Sequence, residues 1–405
     1  MPRLHIFNPS HEMALAADSE SYTPPKRIEQ MERELAAAPY LWKEEEDIVV
    51  GVEALNEKGG YARLGREYIP CPWGWNKAIR RRLLHFGVPE PLMPTETQLA
   101  QWRRFASREF AADYSRQLYA AQEWGNGLVP NHMTFCHDAT QLQEAIRRIG
   151  YPFITKTEYS SSGRGVKIYA SPPEKSNGIG EVINSYKSSP LWGTGRGLNI
   201  LIDRFYSKLL DFALEYEVTC ERVEYLGVSV FEASTEGKYG FNYVKPQSQL
   251  LQMIADTGID MQLLTLLIDY NTQSLAQHLL GRYVGIVGID MMAVNWEDPS
   301  KPPLKRETYN PLCCELEINN NSSAPLGEAE KGSSSSIINH QSSIINHPAL
   351  IHPCVELNLR MNMGVAAMKI YGRDRIEVEQ ELKRFDKSFR ATLDGDRFSL
   401  RYQKA

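Results

Sequence analysis

The sequence predicts a mixed α/β and α+β protein: a small N-terminal α/β domain with a parallel sheet, then a larger region of antiparallel strands and helices. Three observations predict it. At 405 residues the chain is too long for one ordinary core. Over residues 1–106, short apolar strand-like segments alternate with helical patterns, as parallel βα units do. Beyond residue 150, segments alternating apolar and polar residues follow one another, as half-buried antiparallel strands do.

Residues 4–7 read as a strand that ends in the turn Asn8-Pro9-Ser10-His11-Glu12 and opens a helix over 13–17. Residues 47–52 read as a second strand. Lys77–Phe86 is amphipathic and helical, stopped by Gly87-Val88-Pro89. Thr95 is an N-cap for a helix running toward Phe110, with Glu96 in its first turn. Helical patterns follow over 110–123 and 138–149. Strands are then expected at 152–156, 165–169, 198–202, 213–221 and 223–232, a helix over 253–280, and strands at 284–295 and 354–358. Between those last two strands, residues 296–353 are rich in Ser, Asn, Pro and Lys. They carry Ser-Ser-Ile-Ile-Asn-His twice, at 335–340 and 342–347. A stretch of this kind is expected to be an insertion with a hairpin-like base.

Bulk composition excludes several classes. The chain is 42% hydrophobic and 23% charged, with a net charge of −5, so nothing points to a nucleic-acid partner. The six cysteines form no C-x-x-C pair, which argues for reduced thiols in the cytoplasm and against a zinc ribbon. No run of about 18 apolar residues occurs, so no membrane span is expected. There is no G-x-x-x-x-G-K-[ST] and no G-x-S-x-G. His11-Glu12 lacks the second histidine of a zincin. Gly193, Gly195 and Gly197 precede a strand instead of following one, which suits a flexible turn.

Three segments fit one chemical task. In Lys156-Thr-Glu-Tyr-Ser160-Ser161-Ser162-Gly163-Arg164-Gly165-Val166, a strand ends in a lysine and a small-residue loop leads to another strand. Gly and Ser let backbone N–H groups approach phosphate oxygens, and Lys156 and Arg164 can neutralise phosphate charge. The simpler reading is a hairpin turn with exposed polar residues. Val287-Gly-Ile-Asp290-Met-Met292 sets one acid in an apolar strand. A buried carboxylate needs a partner or a metal; the alternative is that Asp290 faces water. In Cys354-Val-Glu356-Leu-Asn358-Leu-Arg360-Met-Asn362-Met-Gly364, Glu356 and Asn358 share a strand face and offer the hard oxygens that Mg²⁺ prefers. Arg360 follows on that face and could stabilise a transferring phosphoryl group. An edge strand with a solvated polar face is the competing reading.

In this order the segments resemble the ATP-grasp superfamily, over residues 107–373. The resemblance implies an N-terminal Rossmann-like pre-ATP-grasp domain (1–106), a small subdomain with the phosphate loop (107–205) and a large subdomain with the metal site and the insertion (206–385). A C-terminal tail (386–405) completes the chain. It implies ATP and Mg²⁺, with Mn²⁺ as a substitute. Lys156 would contact phosphate and the adenine edge, and Ser160, Ser161, Ser162, Gly163 and Gly165 would close over the phosphates. Asp203, Arg204 and Phe205 would form the hinge at the adenine. Glu217, in preference to Glu215, would lie near the ribose. Asp290, Glu356 and Asn358 would bind metal, and Arg164 and Arg360 would act on the transferring group. His11, Glu12 and Asn362 are candidate substrate contacts, as are Lys238 and Lys245 for phosphate. Trp73 and Trp75 read as packing. Two departures stand out. No lysine occurs near Ser107-Arg108, where the family has one, leaving Arg108 as the substitute. A second Glu-x-Asn, Glu317-Ile-Asn319, competes with Glu356 and Asn358 but lacks the Arg and Gly that follow them. The implied activity is ligation of a small-molecule carboxylate to an amine or thiol through an acyl phosphate. A phosphotransferase or carboxylase on the same fold, and a nucleotide-binding module without turnover, are the alternatives. A homodimer is the default for a symmetric soluble enzyme.

Overall fold

Arg3–Ile6 (β1), Ile48–Val49 (β2) and Ile69–Pro72 (β3) pair in parallel in the order β2-β1-β3. Pro70 and Pro72 lack N–H donors, which suits β3 to an edge. The computed structural model describes residues 1–160, 165–171, 180, 182, 198–234, 238–295, 349–385 and 387–402. His11–Ala17 (α1), Lys26–Glu34 (α2) and Lys77–Phe86 (α3) accompany this sheet. Asn76 caps α3 by accepting from the Ile79 N–H at 2.9 Å. Leu83 and Phe86 on α3 pack with Leu4 and Ile6 of β1.

Thr95 opens Glu96–Phe105 (α4) with a capping box to Gln98. The helix expected to run on toward Phe110 is broken at Ser107. The Ser107 hydroxyl donates to the Arg104 carbonyl (2.7 Å) and accepts from the Phe110 N–H (3.1 Å), ending one helix and capping the next, Arg108–Ala121 (α5). Thr134–Cys136 (β4), Phe153–Thr157 (β5), Val166–Tyr169 (β6) and Ile200–Arg204 (β7) form an antiparallel sheet in the order β4-β7-β5-β6, with Ala139–Ile149 (α6) packed on it.

The third sheet is the largest. Ser207–Val218 (β8), Val223–Ala233 (β9), Tyr239–Tyr243 (β10), Gly285–Asn295 (β11), Leu350–Asn358 (β12), Phe389–Asp394 (β13) and Arg397–Tyr402 (β14) are ordered β12-β11-β8-β9-β10-β14-β13. Period-two patterning sorts its faces. Phe212, Leu214 and Tyr216 on β8 and Val287, Ile289 and Met291 on β11 are fully buried in a core with Gln247–Ala255 (α7) and Met261–Leu279 (α8). The alternate residues form the other face. Residues 253–280, expected as one helix, are two, because Gly258 takes φ +87° between them and Asp260 caps α8. Met363–Tyr371 (α9) and Arg375–Leu382 (α10) follow β12.

Two boundaries differ from expectation. The final strand before Asn358 begins at Leu350, so residues 350–353 belong to β12 and not to an insertion. Pro353 sits where the β11–β12 register shifts, a bulge on an edge strand, which is where a sheet tolerates a residue without a donor. The segment read as a C-terminal tail is the hairpin β13–β14. Its Phe398 and Leu400 join Phe7, Trp42 and Trp73 in a second core. All these elements fall in one compact unit, and none of the described helices is long and apolar enough to cross a membrane.

Candidate active site

Strand register assembles the acidic wall. β11 lies between β8 and β12, with Gly288 opposite Glu215 and Asn358, and Asp290 opposite Ala213 and Glu356. Residues two apart share a face, so Glu215, Asp290, Glu356 and Asn358 converge on the face turned away from α7 and α8. Glu215 is anchored at both oxygens: Ser229 Oγ donates to Oε1 at 2.8 Å and Asn362 Nδ2 to Oε2 at 2.7 Å. Asn362 also caps α9, accepting from the Val365 N–H at 2.9 Å. Glycines make room for this anchor. A Cβ at Gly364 would lie 2.1 Å from Glu215 Oε1, and one at Gly288 would lie 2.6 Å from Asn362 Nδ2.

The four-stranded sheet and α5 supply the cationic wall. Arg108, buried in the first turn of α5, donates to Glu356 Oε1 (2.9 Å), Ser160 Oγ (2.8 Å) and the Thr157 carbonyl (2.6 Å). Lys156 on β5 donates across the cleft to the Val355 carbonyl of β12 at 3.3 Å. Burial, and then the Arg108 charge, hold its ammonium below the ordinary lysine value against the pull of Glu356, Asp203 and Asp290. A second link joins the sheets: Asp203 Oδ2 on β7 bonds His352 Nε2 on β12 at 2.8 Å, both buried.

Below the acidic wall lies a cavity of about 220 Å³. Glu215, Asp290, Glu356 and Asn358 reach it from the large sheet, and Phe7, Glu12 and Trp73 from segments beside the three-stranded sheet. Glu12 and Arg360 form a half-buried ion pair, and Arg360 Nη2 donates to Asn358 Oδ1 at 3.1 Å. Burial raises the Glu12 carboxyl, but Arg360 and then His11 outweigh it and leave it below the usual value. Burial pushes the His11 imidazole down to about 4, keeping it neutral. With no opposing cation in contact, burial lifts Glu215 to about 7 despite Asn362 and Ser229. It lifts Asp290 well above the carboxylate range, with Glu356 and Glu215 adding repulsion.

Of the residues singled out in the sequence, Lys156, Ser160, Asp290, Glu356, Asn358, Arg360, Asn362, His11 and Glu12 come together around this cleft. His11 and Glu12 flank a narrower pocket shared with Arg108, Ser160 and Glu356. Gly165 ends the phosphate-loop candidate at φ +74° beside Thr157. Ser161, Ser162, Gly163 and Arg164 lie outside the described residues, as do Glu317 and Asn319. Phe205 directs its N–H to the Pro152 carbonyl (3.1 Å), and Arg204 holds the Ile149 carbonyl (3.2 Å). Glu217 pairs with Arg3 at 3.3 Å, outside the cavity lining, and Glu215 holds the cavity position. Lys245 pairs with Asp396. Trp73 and Trp75 pack, and Trp73 also walls the cavity. Sequence reasoning missed the Asp203–His352 link and the Arg108–Glu356 bond. His352 precedes Glu356 by four residues, in the stretch assigned to the insertion.

Two carboxylates and one amide oxygen make an open set of hard donors, and the repulsion raising Asp290 is what a divalent cation would relieve. Among the described residues, no three His, Cys, Asp or Glu side chains form a closed metal cage. An open set fits Mg²⁺, which keeps waters and phosphate oxygens in its shell.

No family model matches the chain, and a search of curated proteins finds no match. Solved structures align with its fold at low identity. An N5-carboxyaminoimidazole ribonucleotide synthetase in its ADP complex is 15% identical, with 72% of this chain and 66% of that chain covered and a TM-score of 0.36. The biotin carboxylase domain of Hydrogenobacter thermophilus 2-oxoglutarate carboxylase is 11% identical over 93% of this chain and 70% of that one, with a TM-score of 0.42. A RimK-domain ATP-grasp protein from Sphaerobacter thermophilus is 14% identical over 72% and 86%, with a TM-score of 0.32. The chain spans just under two thirds of the first of these structures.

Proposed function

We propose that the chain is an ATP-grasp-type ligase that phosphorylates a small-molecule carboxylate with Mg²⁺-ATP and passes the acyl group to an amine or thiol. One observation carries the reading: the cationic groups Lys156 and Arg108 face the acidic strand pair of Asp290 and Glu356 across a cleft between two sheets. Phosphoryl transfer depends on positioning and charge neutralisation, and this pairing of walls supports both. Asp290, Glu356 and Asn358 would hold Mg²⁺, or Mn²⁺ with the same donor preference. When bound, the ion neutralises phosphate oxygens. Lys156 binds phosphate, and Arg108 takes the place of the missing lysine as a fixed cation. Arg360 orients the substrate carboxylate at the edge of the cavity.

Purified protein given Mg²⁺-ATP with pooled carboxylates and amines should release ADP only when both substrates are present. The new product mass should equal the two substrates minus water. Glu356→Gln should lower that turnover about 100-fold or more while the circular dichroism stays unchanged, by loss of a charged group acting on the transition state. Full activity in this variant would remove the assignment. A nucleotide-binding module without turnover is the second reading. It is favoured by the Arg108–Glu356 bond, which places a guanidinium on a candidate metal ligand. MgADP binding with no ADP release from any pool would select it.

A further inference from the structure

The cavity has two dissimilar ends, and neither is explained by nucleotide or metal. Toward the three-stranded sheet and the C-terminal hairpin Phe7, Met31, Trp73, Phe231 and Leu400 line it, beside Glu12 and the mutually bonded Tyr239 and Asn242. Toward the acidic strands it ends at Glu215. Each Glu215 oxygen accepts one bond from the protein, from Ser229 or Asn362, which leaves lone pairs for a ligand. Two glycines keep the carboxyl clear of backbone substituents. Arg360, the cation at this end, bonds Glu12 and Asn358 and is the group that the ligase reading assigns to the carboxylate substrate, so it is not Glu215's partner. Asp290 and Glu356 stand one register row away.

Resting on the ligase reading, we infer that this cavity seats the amine substrate. That substrate carries an aromatic or branched apolar group, and its nitrogen lies against Glu215. The apolar residues of the wall receive the side chain, and the carboxylate receives the ammonium. The neighbouring Asp290–Glu356 row places the nitrogen beside the site where the acyl phosphate would form. Glu215 takes one proton from the ammonium. The freed nitrogen lone pair attacks the acyl carbon and forms the C–N bond. The C–O bond to phosphate breaks, its electron pair leaving with phosphate, which then takes the remaining excess proton from nitrogen. Glu215 returns its proton to solvent.

The test is calorimetric titration of the full chain, with and without MgADP, using phenethylamine, isoamylamine, ethylamine and 2-phenylethanol as probes. Phenethylamine and isoamylamine should bind at least tenfold more tightly than ethylamine, which lacks the apolar group, and than 2-phenylethanol, which lacks the charge. Glu215→Gln keeps an oxygen for Asn362 and should weaken phenethylamine about 10- to 100-fold, the worth of one hydrogen bond to a charged group. Ala233→Phe is the second variant. It fills the cavity four residues along β9 from Ser229, and it should weaken phenethylamine tenfold or more even where Glu215→Gln fails to fold. MgADP binding with no amine binding, equal binding of the alcohol, or an unaffected, folded Glu215→Gln overturns this inference alone. Amine binding without MgADP binding supports the pocket and overturns the ligase reading. Absence of both overturns the two together.

Discussion

Glu215 is the residue whose environment departs most usefully from what a strand offers. It was legible as one of two acids in Leu214-Glu-Tyr-Glu-Val218, but period two alone puts Glu215 and Glu217 on the same face. What separates them is tertiary: Arg3 claims Glu217, and Ser229 and Asn362 claim Glu215. No local pattern reports those partners. The buried carboxyl has a consequence for stability. Its pKa is about 7 in the fold against 4.5 unperturbed, so between those values the folded state holds the extra proton. Its contribution is therefore complete below pH 4.5 and is lost as pH rises through 7. Glu215→Gln should match the wild type in thermal melting at pH 4.5 and exceed it by several degrees at pH 8. His11 runs the other way: with its pKa held to about 4, its contribution is present above 6.5 and fades as pH falls. A Glu215→Gln protein less stable than wild type at pH 8 would show that the carboxylate is needed for packing and not kept at a cost.

Among the elements, those with strong period or clear punctuation were legible. The Lys77–Phe86 helix falls where expected, stopped at Gly87, and strands run through Asp290 and Glu356 as expected. Elements whose identity depends on their neighbours were not. The β13–β14 hairpin is short and rich in Arg and Asp, and it becomes a strand pair because β10 offers an edge and the cluster around Phe7 offers a core. Phe398 is fully buried there. Phe398→Ala should cost about 3–5 kcal/mol in denaturant unfolding, the range for a large aromatic removed from a core. A loss under 1 kcal/mol would mean the hairpin is an appendage. The ends of β11 and β12 are paired at Val294 and Leu350. Replacing residues 297–347 by a four-residue turn should therefore leave the melting transition cooperative and its midpoint within a few degrees. Loss of the transition would place part of the core in that segment.

At the scale of the whole molecule, the site exists because three layers meet. Arg108 and Lys156 come from one side of the cleft, the acidic strands from the other, and Glu12 from beside the three-stranded sheet, which is tied to the large sheet through Arg360 and through the Met361 N–H on the Trp73 carbonyl at 2.9 Å. Lys156, Asp290, Glu356 and Asn358, singled out by their order along the chain, lie about one cleft, while Glu215 holds the cavity position and Glu217 does not. The pairings that currently hold them, guanidinium on Glu356 and on Glu12, arise only from packing. Nucleotide and metal would have to compete with those pairings, so an acyl phosphate forms only if the charges re-partner around ATP. Hydroxylamine reports that most directly. The protein is incubated with Mg²⁺-ATP, pooled carboxylates and hydroxylamine, and hydroxamate and ADP are measured together. Equimolar hydroxamate and ADP from the wild type, both abolished in Glu356→Gln, is the result predicted. ADP release without hydroxamate, or equal yields from the two proteins, would contradict an acyl-phosphate ligase built on these residues.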